Sequence, residues 1–204
     1  MGHQECNLRQ GKVFVALAAI FTIISSVILG FAVGIKQTEK VIAVNITETP
    51  LVFEEVSPEY PFLPKELSLY IEDLCTQLGI DTNLAVAILL QENPEIKVDA
   101  TNRNQNGTSD LGLWQLNDRY LYTDFEKNYW QMDVELNPFN WKHNTFIALN
   151  HIHWLTQRLK IQDDVIMAYN CGIGAVMNGN IPESTKTYLK RVTNNYLLLK
   201  GEKS

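Results

Sequence analysis

The sequence predicts a mainly α fold with a small β-hairpin, an α+β domain, preceded by one N-terminal transmembrane helix. Three observations carry that expectation: an uncharged apolar run near the start, a series of helix-period segments after residue 64, and one Asn-, Gly- and Thr-rich stretch among them that suits turns. At 204 residues, 46% of them hydrophobic, the chain has room for one ordinary domain and an appendage. Its net charge of −6 and the lack of a basic stripe exclude a partner bound through its phosphates, so no nucleic acid is expected.

Val13 to Ile35 carries no charge. As a helix it would be roughly 35 Å long, enough to cross a bilayer. A cleavable signal peptide is the rival reading, but such a peptide has a shorter apolar core and a small-residue cleavage site, which is not apparent after Gly30. The expected organisation is a cytoplasmic tail at 1–12, an anchor at 13–35, an extended linker at 36–63 and a folded domain at 64–200. Arg9 and Lys12 on one side of the anchor are balanced by Lys36 and Lys40 on the other, so flanking charge does not orient it. Pro50, Pro58 and Pro61 keep the linker extended, with one short strand expected around Leu51–Phe53.

Folding is expected to begin near Pro64, with Leu67, Tyr70, Ile71, Leu74, Cys75 and Leu78 on one helical face and Gly79 as the stop. Asp81 is a natural N-cap for a second helix, in which Leu84 to Leu90 run apolar almost without interruption and imply burial on most sides. Pro94 ends it and leaves Glu92 in the last turn. Asp99 to Asp110 holds Asn102, Asn104, Asn106, Gly107, Thr108 and Ser109, which suit a hairpin. After the Asn137-Pro138 turn come three more helices: one at about Trp141 to Lys160 burying Phe146, Ile147, Leu149 or Asn150, Trp154 and Leu155; one from Asp163 to about Val176; and one from Pro182 carrying Tyr188, Leu189, Val192, Tyr196 and Leu199.

Cys6, Cys75 and Cys171 fit neither a zinc site nor a disulfide framework, and buried free thiols are expected, although Cys75 and Cys171 could meet in an oxidising compartment. His143, His151 and His153 lack metal-site spacing and are read as surface or packing residues. The loop Asn102-Asn104-Asn106-Gly107 mimics a calcium loop, yet its twelfth position is Leu113. No metal or cofactor is expected. Among Tyr120, Tyr122, Trp130 and Trp141, one or two are expected to stack on a sugar and the rest to be core.

Glu92 is the candidate catalytic residue. On the residues alone, a surface carboxylate at a helix end is the simpler reading. Against it, an apolar helix and a proline on its flanks would desolvate the carboxyl, raise its pKa and make it a general acid. Asp110 across the hairpin would then supply the second carboxylate that glycoside cleavage usually employs.

The stretch ATNRNQNGTSDLGLWQLNDRY, with Glu92 upstream, resembles the active-site region of lysozyme-like muramidases, both animal lysozymes and small bacterial lytic transglycosylases associated with secretion systems. A raised-pKa Glu beside an ionised Asp is the established lysozyme arrangement, so that logic belongs to the family. Ala168-Tyr169-Asn170 is similar to the family's A-Y-N motif, and Thr185 with Tyr188 to its last-helix element. Animal lysozymes depend on several disulfides that three cysteines cannot form, so the resemblance favours the transglycosylase branch.

That resemblance implies a lysozyme-like catalytic domain that cuts the bond between N-acetylmuramic acid and N-acetylglucosamine. Glu92 would act first as acid and then as base on the C6 hydroxyl, giving a 1,6-anhydro end. Thr101 would orient the acetamido group, Gln115 and Tyr169 would line the subsite, Asn170 would fix its helix and Tyr188 would complete the set. Asp110 would serve a hydrolase of the same fold, or simply hold the hairpin. The chain departs from the family at Asn93, commonly Ser; at Trp114, commonly Met; and at Cys171, commonly a small residue. The implied setting is the outer side of a bacterial inner membrane, with peptidoglycan as substrate and an envelope or secretion machine as a partner. The reading from another class is an inactive wall-binding scaffold.

Overall fold

The computed structural model describes residue 51 and residues 55–122 and 136–202, without the side chain of Tyr120. The expected anchor, most of the linker, the strand around 51–53 and Trp130 lie outside the described residues. Among the described residues no helix is long and apolar enough to cross a membrane.

Packing begins before the first helix. Ser57, Tyr60 and Leu63 are buried, Val56 bridges Pro64, and Ser57 and Ser68 share a hydroxyl hydrogen bond of 2.9 Å. Helix α1, Lys65–Leu78, follows with Pro64 as its N-cap, so the helix itself starts one residue after the proline near which folding is expected to begin. It buries Leu67, Ile71, Leu74 and Cys75 and stops at Gly79, whose left-handed backbone lets its N–H close onto Cys75 and Thr76.

Helix α2, Thr82–Glu92, is capped by Asp81, whose carboxylate accepts from the Asn83 N–H at 2.9 Å. Every residue from Leu84 to Leu89 is buried. Each large apolar side chain so buried contributes roughly 1.5–3 kcal/mol. This helix is the central element, and its C-terminal end delivers Glu92.

The hairpin is one strand richer than expected. β1 (Thr101–Arg103), β2 (Ser109–Leu111) and β3 (Leu116–Asn117) form an antiparallel sheet in that order, with Asp110 opposite Asn102 on one side and Asn117 on the other. Two amides of the calcium-loop mimic are engaged within the β1–β2 turn: Asn104 donates to the Thr108 hydroxyl at 3.2 Å, and Asn106 accepts from it at 2.8 Å. A single π-helical turn, Asp118–Tyr122, follows.

Helix α3, Trp141–Arg158, is capped by Asn140 and packs on α1 and on the helix that follows it. Leu149 and Asn150 are both buried, while Trp154 is only half-buried. The helix expected from Asp163 to Val176 is two helices, α4 (Gln162–Cys171) and α5 (Ile173–Met177). The chain breaks at Gly172, with φ 83° and ψ 147°, which no helix accommodates. Helix α6, Glu183–Leu199, buries Thr185, Tyr188 and Val192 against α2 and α4.

Cys75 is buried and Cys171 half-exposed, and both are free. The histidines pack: His143 is buried with Nδ1 accepting from the Asn137 N–H at 3.0 Å, and His153 reaches the Leu78 carbonyl at 2.8 Å.

Candidate active site

Glu92 ends α2, where the helix presents its unsatisfied carbonyls and partial negative charge. The carboxyl is half-buried, and burial pushes its pKa up to about 7. Two neighbours act on it in opposite senses: the Tyr188 hydroxyl donates to its Oε1 at 2.6 Å and favours the ionised form, while the negative charge of Asp110 disfavours it. Tyr188 comes from α6, is buried, and has its own pKa held well above the ordinary value by that burial and by the Glu92 charge; Tyr169 on α4 lies close enough to raise it further. Glu92, Asp110, Tyr169 and Tyr188 are therefore one electrostatic cluster drawn from four elements.

The turn from Gly112 to Gln115 forms a second part of the site. Gly112 and Gln115 both have positive φ, 75° and 49°. For glutamine this is a costly conformation, of a kind that persists where surrounding bonds over-determine it. Here they do. The Gly112 N–H donates to the Ala100 carbonyl at 2.8 Å, and the Gln115 side-chain amide donates to the carbonyls of Gly112 at 2.9 Å and Ala100 at 3.3 Å.

Four side chains, those of Asn93, Asn144, Thr145 and Tyr169, fasten this turn to the helices. Buried Asn93, next to Glu92, donates to the carbonyls of Lys97 and Leu113 and accepts from the Lys97 N–H. Asn144 on α3 accepts from the Trp114 N–H at 2.7 Å and donates to the carbonyls of Leu111 and Pro138. The Trp114 indole donates to the Thr145 hydroxyl at 3.0 Å, and the Tyr169 hydroxyl donates to the Trp114 carbonyl at 3.1 Å. The close proline does not distort the acid, because the Asn93 N–H still closes the last helical bond onto Leu89 at 2.9 Å.

The other sequence candidates sit as follows. Asp110 is half-buried on β2, and Asn117 donates to its Oδ1 at 2.8 Å. Asn170 is exposed, and its Oδ1 accepts from the Thr185 hydroxyl at 2.7 Å, which ties α4 to α6. Thr101 stands exposed at the start of β1, opposite Leu111. Neither Thr101 nor Asn170 is hydrogen-bonded to Glu92. Sequence reasoning missed Asn144 and Thr145, whose signal is two adjacent polar residues directly before the core pair Phe146 and Ile147. Among the described residues no cluster of His, Cys, Asp and Glu could hold a metal ion.

Residues 70–191 match the family described as the transglycosylase SLT domain. The chain belongs to this family. Among solved structures, an inactive mutant of the lytic transglycosylase Slt from Pseudomonas aeruginosa is similar in fold to this SLT-domain chain, with a TM-score of 0.53 at 14% identity over 65% of this chain and 24% of that one. The SLT-domain chain thus spans about a quarter of that structure's length. No curated protein matches it. The lysozyme-like, lytic-transglycosylase resemblance carried by Glu92, the Gly112–Gln115 turn and Ala168-Tyr169-Asn170 agrees with the family match.

Within this cluster Tyr188→Phe is expected to shift the alkaline limb of the pH–rate profile upward. The hydroxyl favours the ionised carboxyl, so its removal lets Glu92 keep its proton to higher pH. A limb that stays in place or moves down would show that the contact does not govern the acid.

Proposed function

We propose that this protein is a peptidoglycan lytic transglycosylase that cleaves the β-1,4 bond between N-acetylmuramic acid and N-acetylglucosamine and leaves 1,6-anhydro ends. The observation that carries the reading is Glu92, a half-buried carboxyl at a helix end that accepts a hydrogen bond from Tyr188 and whose pKa burial raises to about 7. A group with that pKa gives up and regains a proton with little free-energy change near neutrality, which suits one residue acting in both directions. Glu92 protonates the glycosidic oxygen as the bond breaks, with the acetamido oxygen closing on the anomeric carbon. The carboxylate so formed then takes the proton of the C6 hydroxyl as that oxygen displaces the acetamide. Thr101 orients the acetamido group, Gln115 and Tyr169 line the subsite, and Asn170 holds α4 in register with α6.

A hydrolase of the same fold is the second reading, favoured by the proximity of the Asp110 charge to Glu92 and by the Asn117 hydrogen bond that fixes the Asp110 carboxylate. Products separate the two. Purified peptidoglycan digested with the protein is expected to yield muropeptides one water lighter than hydrated ends, read by mass spectrometry. Hydrated ends alone would replace the transglycosylase with the hydrolase, and undigested glycan would leave the wall-binding scaffold.

The substrate sets the location. Peptidoglycan lies outside the cytoplasmic membrane, so residues 13–35 would anchor the chain there in a single pass with the domain on the extracytoplasmic side, within reach of an envelope or secretion machine. The overall acidity suits local action by a tethered enzyme, since capture of an anionic wall by bulk charge would favour a basic protein.

A further inference from the structure

Helix α3 carries a histidine that this mechanism does not use. The His151 ring stacks on Trp154, with centroids 6.0 Å apart and planes 15° from parallel, and meets the Tyr169 ring at 5.7 Å. The Arg158 guanidinium lies 4.0 Å over Trp154. Tyr169 is in electrostatic reach of Tyr188, which donates to Glu92. His151 is thus in ring contact with Tyr169, a member of the same electrostatic cluster as Tyr188 and Glu92.

Two features distinguish this ring from packing material. His143 and His153 each place a nitrogen on a backbone group, but among the described residues neither nitrogen of half-buried His151 has a hydrogen-bond partner. Both nitrogens keep solvent contact at this half-buried position, so a ligand can reach them, whereas a phenyl ring in the same stack would offer it no polar atom. Burial also pushes the imidazole down to about 4, so it is neutral wherever Glu92 titrates and offers one N–H donor and one acceptor nitrogen. A neutral donor and acceptor match a hydroxyl or an amide, not a carboxylate.

We propose that His151 is a further glycan-binding residue of the cleft, hydrogen-bonding a hydroxyl or acetamido group of the sugar that lies beside Tyr169. The inference rests on the reading that the cleft takes peptidoglycan glycan. Stacking between Trp154 and Tyr169 fixes the ring before the sugar arrives, so little rotamer freedom is lost on binding.

The test uses the full-length chain carrying Glu92→Gln, which prevents turnover, with and without His151→Phe. The probe is a tetrasaccharide of alternating N-acetylglucosamine and N-acetylmuramic acid, titrated by calorimetry. His151→Phe keeps an aromatic ring in the stack and removes both nitrogens, so affinity is expected to fall about tenfold, the equivalent of one hydrogen bond, at an unchanged melting temperature. In the Glu92→Gln chain labelled with 15N-histidine, the His151 ring signals are expected to shift as the tetrasaccharide is added. Equal affinities, a stationary His151 signal, or no binding by the Glu92→Gln chain would each overturn the proposal. If His151→Phe does not fold, the nitrogen titration alone decides it. Wild-type product analysis is a separate readout: intact glycan with a shifted His151 signal removes the transglycosylase and keeps the binding site, and anhydro products with a stationary signal do the reverse.

Discussion

Glu92→Gln is expected to reduce glycan cleavage by about 10³-fold or more while making the folded domain harder to unfold above neutral pH. The two effects have one origin. Burial, with the Asp110 charge beside it, opposes ionisation of the carboxyl more strongly than the Tyr188 hydrogen bond supports it, and the folded pKa lies at about 7 against an ordinary 4.5. Below about pH 4.5 the group is protonated in both the folded and unfolded chain and contributes no pH dependence. Between 4.5 and 7 the unfolded chain ionises first, so the folded state binds more protons and its stability falls as pH rises. Above 7 the carboxylate is ionised in both states, and the full cost, on the order of 3 kcal/mol, is present. Glutamine keeps the shape and an oxygen for the Tyr188 hydroxyl but cannot ionise, so it escapes that cost. Melting temperatures of the two proteins are expected to coincide near pH 4 and to separate by several degrees at pH 8, the variant being higher. Parallel curves would mean that the site does not strain the acid. Wild-type kcat/KM is expected to decline above about pH 7 as the acid loses its proton.

The features that place this acid differ in how far the sequence reveals them. Asp81, the apolar run from Leu84 and Pro94 fix α2 and its end from local rules alone, because caps, periodicity and proline act within a few residues. The pairing of Glu92 with Tyr188 spans 96 positions, and no periodicity encodes it. The resemblance marks Tyr188 as a site residue but not its bond to Glu92, and the roles it implies for Thr101, Gln115 and Tyr169 belong to the proposed function. The break at Gly172 was missed because Ile173–Met177 continues the apolar pattern of α4, and only the backbone angles of the glycine separate them. β3 was missed because its two residues carry no strand signal of their own; they pair because β2 is already there. Asn144 and Thr145 show the opposite case. Period alone marks them as core positions, and their polarity had no explanation until the Trp114 backbone and indole supplied it.

Gly112→Ala is expected to destabilise the domain by about 3–5 kcal/mol and to lower activity with it. Gly112 is buried at φ 75°, a left-handed conformation in which alanine is strained before any contact is considered. An added Cβ would also lie well inside contact distance of the Pro138 carbonyl oxygen and the Asn144 side chain. Neither can retreat cheaply. The Pro138 oxygen accepts from Asn144 Nδ2, which also donates to Leu111, while Asn144 Oδ1 accepts from the Trp114 N–H. Moving that amide frees the turn that sets Gln115 and the carbonyl against which the Tyr169 hydroxyl rests. Stability and site geometry are thus lost through the same contact. Gly107→Ala is the control: Gly107 has a comparable φ of 83° but open space around the position of a Cβ, so only the backbone term of about 1–2 kcal/mol is expected there. Chemical unfolding of the three proteins, with the denaturant slope checked to be constant, measures the difference. Equal losses at the two glycines would show that the Asn144 contact does not hold the turn, and that left-handed geometry alone accounts for Gly112.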